Sequence, residues 1–383
     1  MDTRPVSGDK VEERPKRTPG KRRRKMQALA ILCCLVILVA VMYGGLTLYT
    51  MYQERVKETS SGNVNSLDLD DNGNIIDAAS NSVVYSQEEL DAKVAEALLE
   101  AQDQRMEEVL DAIMESLSDG RSVVATLRPF YPDHIVVASG GKYHFVPINY
   151  ELAQSELLTE NLNILESGEI QYMQDGQVIS HRGIDVSKFQ KTIDWNLVAQ
   201  DGVEFAFIRV GNRTYGSSGK LMEDDYFDAN MQGALGAGIK VGVYIYSQAI
   251  TEEEVLEEAN FVLEKIAPYN VECPVVFDVE KVSADGGGRM NYITPEERTH
   301  LTQIFCQTIE NAGYKPMIYH NTEMGALMLD LAELEGYDKW FAAYTDTLYY
   351  PYEYKVWQYS ATGSVQGIQG DVDLNICFEP LWE

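Results

Sequence analysis

A chain of 383 residues, 45% apolar and 24% charged, can hold two or three domains or one barrel with accessories; fibrous and wholly disordered classes are excluded. Its 31 basic and 60 acidic residues leave a net charge of -29, which repels phosphate backbones and argues against a nucleic-acid partner. The charge is uneven, because residues 1–25 carry ten Lys/Arg against four Asp/Glu and the body that follows is more acidic still.

From the N-terminus, residues 1–25 read as a basic cytoplasmic tail. No charge falls between Lys25 and Glu54, and Ala28–Leu48 is continuously apolar. At a rise of about 1.5 Å per residue this stretch crosses a hydrocarbon core of about 30 Å. Residues 26–52 are therefore expected to be an uncleaved signal anchor: the apolar run is longer than a cleaved signal's and lacks an Ala-x-Ala exit. The run Lys21-Arg22-Arg23-Arg24-Lys25 orients it with the N-terminus cytoplasmic and the remainder outside a plasma membrane crossed once. The lipid bilayer is then one partner. Cys33 and Cys34 fall in the span; Cys273, Cys306 and Cys377 lie beyond it and read as buried free thiols, with one disulfide plus one free thiol as the alternative.

Residues 53–85, rich in Ser, Asn, Asp and Gly, predict a flexible linker. A helical stalk follows at 86–118, opened by the pair Ser86 and Glu89. Its apolar stripes, Leu90-Val94-Ala97-Ala101 and Met106-Leu110-Ile113-Leu117, are out of phase with each other. That slip favours a monomer and leaves weak self-association through the stalk as the alternative. Residues 121–180 predict a small β-rich module: strands in SVVATL, HIVVAS and YHFVPI, a turn at Gly140-Gly141, and a hairpin about Asp175-Gly176. His134, His144 and His181 have no metal-ligand spacing and read as structural or solvated.

Over 181–383 strands alternate with helices. The predicted strands are 183–188, 205–210, 241–247, 274–280, 316–321, 340–346, 354–360 and 371–377. Helices open at Thr251 and at Thr294-Pro295, the second closing at Gly313. None separates the last three strands. The fold class is thus α/β, an irregular (β/α) TIM-like barrel preceded by a transmembrane helix, a stalk and a small β-rich module. A doubly wound sheet is the alternative, but no phosphate-binding glycine pattern follows the first strand.

Carboxylates inside apolar strands are the informative residues, since burying one alone is costly. Asp278 and Glu280 are two apart in the fourth strand and leave it on one face. Such a pair resists double ionisation and keeps one proton toward neutral pH, which suits glycoside hydrolysis. Asp185 in the first strand and Asp373 in the last converge if the barrel closes. Tyr244, Tyr246, Tyr319, Tyr344, Trp357 and Tyr359, with Gln358 between the last two, stand at comparable strand ends and suit stacking on and hydrogen bonding to sugars. No metal or other cofactor is expected.

GIDVSKFQ with IDW, then VVFDVE, KVWQYS and GDVDLN resemble, in this order, the signature segments of glycoside hydrolase family 25, the lysozyme-type muramidases. The resemblance covers 183–378 and nothing before 180. It implies an irregular β/α barrel that cuts the β-1,4 bond after N-acetylmuramic acid in peptidoglycan glycan strands. It also implies Glu280 as general acid, Asp278 as charged partner, and Asp185 and Asp373 as the rest of an acidic floor. The family usually has Gly after the Gln of its first motif, where this chain has Gln190-Lys191, which suggests a changed turn. A catalytically silent sugar-binding barrel that anchors an envelope complex is the rival reading, and a hydrolase of another substrate such as chitin a third.

Overall fold

The computed structural model describes residues 67–69, 75–77, 82–85, 87–282 and 287–382. The expected tail (1–25), the expected membrane span (26–52) and most of the expected linker (53–85) lie outside them. Among the described residues, no helix is long and apolar enough to cross a membrane. Within 53–85 three short strands, β1 (Leu67–Leu69), β2 (Ile75–Asp77) and β3 (Ser82–Tyr85), pair antiparallel in that order. Asn72-Gly73, a hairpin-type dipeptide, stands between the first two in sequence. Helix α1 (Gln87–Ser118) follows, with Val94, Leu99, Met106, Leu110, Met114 and Leu117 exposed.

Residues 122–127 differ from the predicted strand: they form helix α2 (Val123–Leu127). Ser122 accepts from the Ala125 amide, and the Thr126 hydroxyl bonds Ser116 of α1 at 2.8 Å. A cap and an anchoring contact outweigh the β-propensity of two valines. The hairpins are as the turn residues predict. Strands β4 (His134–Ser139) and β5 (Lys142–Pro147) pair around Gly140-Gly141. Then come β6 (Leu162–Ile164), β7 (Ile170–Gln174) and β8 (Gln177–Val178), with Asp175 and Gly176 at φ 51° and 77° between the last two. All three free cysteines among the described residues, Cys273, Cys306 and Cys377, are buried.

Eight strands close a barrel. They are β9 (His181–Val186), β10 (Phe205–Arg213), β12 (Lys240–Ser247), β13 (Val275–Val279), β14 (Pro316–Asn321), β15 (Asp338–Ala342), β16 (Val356–Gly363) and β17 (Val372–Cys377). Strand β11 (Leu221–Glu223) adds an antiparallel hairpin partner to β10. The order is β10-β12-β13-β14-β15-β16-β17-β9, and β9 pairs with β10 to complete the ring. Seven strands are parallel, while β17 runs antiparallel to both of its neighbours. Phe205, Phe207, Val276, Met317, Trp340 and Val356 fill the barrel in one buried cluster. Gly183 is required by that packing, since a Cβ there would meet the Phe205 ring at 2.2 Å.

Helices α3 (Trp195–Gln200), α4 (Phe227–Gly236), α5 (Glu252–Ile266) and α6 (Pro295–Asn311) cover the early strands, and the short α7 (Thr322–Leu327) follows β14. Asp194 caps α3, Thr251 caps α5, and Thr294 with Glu297 forms the capping box of α6. Among the described residues, no helix follows β15 to cover the barrel. The segment from β5 to β9 packs there instead. Ser155 donates its amide to Pro351 O, Glu353 donates to Ala153 O, and Tyr172 meets Phe378 edge-on at 5.3 Å. Val146, Ile148, Leu152, Leu157 and Leu162 join the barrel's outer core, so this module shares a core with the barrel.

Candidate active site

Parallel barrels expose catalytic groups where their strands end. Asp185 is near the end of β9, Asp278 near the end of β13, and Glu280 one residue beyond β13. Asp373 sits near the start of β17, yet it faces Asp185 directly in register, because the reversed strand begins at the end where the others finish. Tyr246 and Tyr319 flank Asp278 on the adjacent strands. The four acids line one groove of about 500 Å³, together with Tyr244, Tyr246, Tyr319, Tyr344, Gln358 and Arg209.

Trp357 does not belong to it. Gln358 points into the barrel, so its neighbours on β16 point out. Trp357 and Tyr359 lie in the outer core, 5.8 Å apart, and the Trp357 indole donates to Ala343 O at 2.9 Å. Gln358 is 3% exposed and works inside the wall. Its Nε2 donates to Asp185 Oδ2 at 2.7 Å, while its Oε1 accepts from Tyr319 at 2.8 Å and Tyr344 at 3.0 Å. Strand β15 stops at Ala342, short of the predicted 346, and this leaves Tyr344 on the rim.

Several residues that sequence reasoning passed over complete the site. Asn375 donates to Asp185 Oδ2 at 2.9 Å and accepts from the Trp340 indole at 2.8 Å. Its signal was available, as it lies two residues from Asp373 on the same strand face. Arg209, a charge within an apolar strand, was legible for the same reason as the acids. It donates through Nε to Asp224 Oδ2 at 2.8 Å, and Asp224 also accepts the Lys188 and Tyr226 amides. Nothing local marks Asp224. Tyr215 donates to the Tyr246 hydroxyl at 3.1 Å from the loop beyond β10.

Burial dominates the electrostatics. It pushes Asp185 well above the usual carboxylate range, and facing Asp373 adds to this. Asp373 itself is pushed to about 6 by burial. Asp278, 5% exposed with Oδ1 lacking any partner, is held well above its ordinary value by burial and then by Glu280. Glu280 is raised by burial too. Burial and mutual repulsion thus favour keeping a proton within the Asp278–Glu280 pair.

Lys191, next to Gln190 in sequence, adopts φ 58° and ψ -133°. In place of the expected changed turn, the backbone keeps a conformation that suits glycine, with a lysine in it. Lys191→Gly should relieve the strain, partly offset by unfolded-chain entropy, for a net gain of about 1 kcal/mol. Thermal unfolding should then rise by about 2–4 °C; an unchanged or lower midpoint would show the strain is compensated.

A groove that gathers four carboxylates whose protonated forms are favoured by burial suits carboxylate-based glycoside hydrolysis. Residues 184–368 match the sequence model of glycosyl hydrolases family 25. The chain is 30% identical over 209 residues to the uncharacterized protein YegX of Escherichia coli K12, covering 51% of this chain and 68% of YegX. It is 26% identical over 195 residues to the autolytic lysozyme of Clostridium acetobutylicum, 51% of this chain and 55% of that protein. With lysozyme M1 of Streptomyces globisporus it shares 28% over 204 residues, 51% of this chain and 66% of the relative. The chain belongs to glycosyl hydrolase family 25.

Proposed function

We propose that the protein is a peptidoglycan hydrolase that cuts the β-1,4 bond between N-acetylmuramic acid and N-acetylglucosamine, held at the plasma membrane by residues 26–52 with its barrel outside. The observation that carries the hydrolase reading is the convergence of Asp185, Asp278, Glu280 and Asp373 in one groove of a family 25 barrel. The named lysozyme relatives support the substrate. The acid set is complete, which speaks against the silent sugar-binding barrel.

In this reading Glu280 lies on the groove side of the pair and gives its proton to the leaving oxygen as the glycosidic C–O bond breaks. The bonding electrons go to that oxygen. The pair, now doubly ionised, faces the oxocarbenium-like centre and stabilises it. Attack by water, or by the substrate's own acetamido oxygen followed by water, completes hydrolysis and returns the proton to the pair. Asp185 is held by two amide donors, and with Asp373 it forms the floor.

Muropeptides released by the full chain from purified walls should carry reducing N-acetylmuramic acid ends on mass spectrometry. Reducing N-acetylglucosamine ends, or no release, would overturn the bond assignment. For the anchor, protease added to intact wall-stripped cells should remove the barrel and spare a tag placed before Lys21; the opposite pattern would reverse the orientation.

A further inference from the structure

The groove does not end at the acids. Tyr344, 61% exposed, lines it on one side and on its other side lines a second hollow of about 430 Å³. The far wall of that hollow is built by Ile164 and Ile170 of the β6–β7 hairpin and its floor by the end of β16, Ser360–Thr362. Residues 164–170 precede the part of the chain that matches family 25, so this wall is an addition to the family barrel. Ile164 is 48% exposed in it. Tyr359 is 4% exposed, and its hydroxyl lies against the Ile170 backbone without a hydrogen bond of normal geometry.

We propose that this hollow is a further sugar-binding subsite, continuous with the catalytic groove across Tyr344, and that it takes a saccharide unit of the same glycan strand. The inference rests on the glycan reading above. Its volume is in the range of small-molecule sites. A pyranose presents C–H groups on its faces and hydroxyls on its rim. The exposed Tyr344 ring and Ile164 meet the first, and Thr345, Ser360 and Thr362 the second. Asp346 is the single charged residue of the lining, so the hollow has no cation to receive a carboxylate-bearing peptide stem.

A subsite away from the acids acts only on substrates long enough to reach it, and remote binding energy shows in kcat/KM. Thr362→Trp, at an exposed position, fills the hollow; Ile164→Ala removes part of its wall at another. The full chain and both variants, checked for equal thermal unfolding, are given peptide-free glycan strands graded in length by disaccharide steps. Thr362→Trp should lower kcat/KM by about 10-fold on the long strands and leave the shortest cleavable oligosaccharide unaffected, and Ile164→Ala should lower it about threefold in the same pattern. Equal loss at all lengths, or no loss at any, would overturn the subsite. A loss confined to strands that keep their peptide stems would overturn the sugar assignment. If the parent cleaves no strand, the substrate reading fails, and binding of fluorescent strands to Glu280→Gln protein decides the hollow. Weaker binding with Thr362→Trp added upholds it, and unchanged or absent binding removes it.

Discussion

Glu280→Gln should lower wall hydrolysis by about 10²–10⁴-fold while the protein stays folded. Gln keeps the shape and hydrogen-bonding capacity of the side chain and removes the proton the leaving oxygen needs. Relative to the parent, the Glu280→Gln variant should gain stability toward alkaline pH, where the parent loses it. Burial raises Glu280 and Asp278 in the folded protein, so their protonated forms favour folding. That contribution is complete below the unfolded values near 4 and fades as pH rises through the folded ones, and a Gln has nothing to lose there. The parent's rate should fall on the same side, as pH climbs through the raised value of the pair. Asp278→Asn should also slow turnover, and the double change should cost little more than Glu280→Gln alone, because both residues serve one step. Equal clearing of purified walls by parent and Glu280→Gln proteins would remove Glu280 from the mechanism.

The second large effect lies behind the groove. Arg213 at the end of β10 donates to Glu258 Oε1 at 2.7 Å, to Glu257 Oε2 at 2.8 Å, to Gly219 O at 2.7 Å and to Glu254 O at 2.8 Å. Glu258 on α5 is fully buried, also accepts from Ser247, and is pushed up to about 7 by burial even beside Arg213. Arg213→Met leaves that carboxyl and two carbonyls without their donor, at a cost of about 3–5 kcal/mol and on the order of 10 °C in unfolding midpoint. The loss should be smaller at pH 5 than at pH 8. Below its folded value Glu258 carries a proton and no charge is stranded, whereas above it folding must either strand the charge or hold the proton against solution. Adding Glu258→Leu should recover much of the loss, since an apolar pair leaves nothing ionic buried. A loss below about 1 kcal/mol that does not vary with pH would show the pair to be dispensable.

The acids were legible because each interrupts an apolar strand, and the period of two put Asp278 and Glu280 on one face. The same period, one residue out, misassigned Trp357, whose neighbour Gln358 takes the inward position. The direction of β17 was also in the sequence, unread: residues 364–371 are too few for a parallel crossover. Helix α2 was hidden by its valines, and Asp224 by distance, because nothing near it in sequence announces the Arg209 it holds. The packing of residues 146–179 onto the barrel was least legible of all. Loops after β15 and β16 leave that flank uncovered, and only the assembled structure shows what fills it.

The reversed strand also fixes when the site comes into being. Asn375 and Asp185 meet across 190 positions of chain, so closing that contact carries a large loop-closure cost and is expected to follow the formation of the helices. A chain with every helix in place and β17 not yet joined to β9 has Asp278 and Glu280 together, but neither Asp373 nor the Asn375 amide beside Asp185. Recovery of hydrolysis after dilution from denaturant therefore times the closing of the ring, while far-ultraviolet circular dichroism, which follows the helices, runs ahead of it.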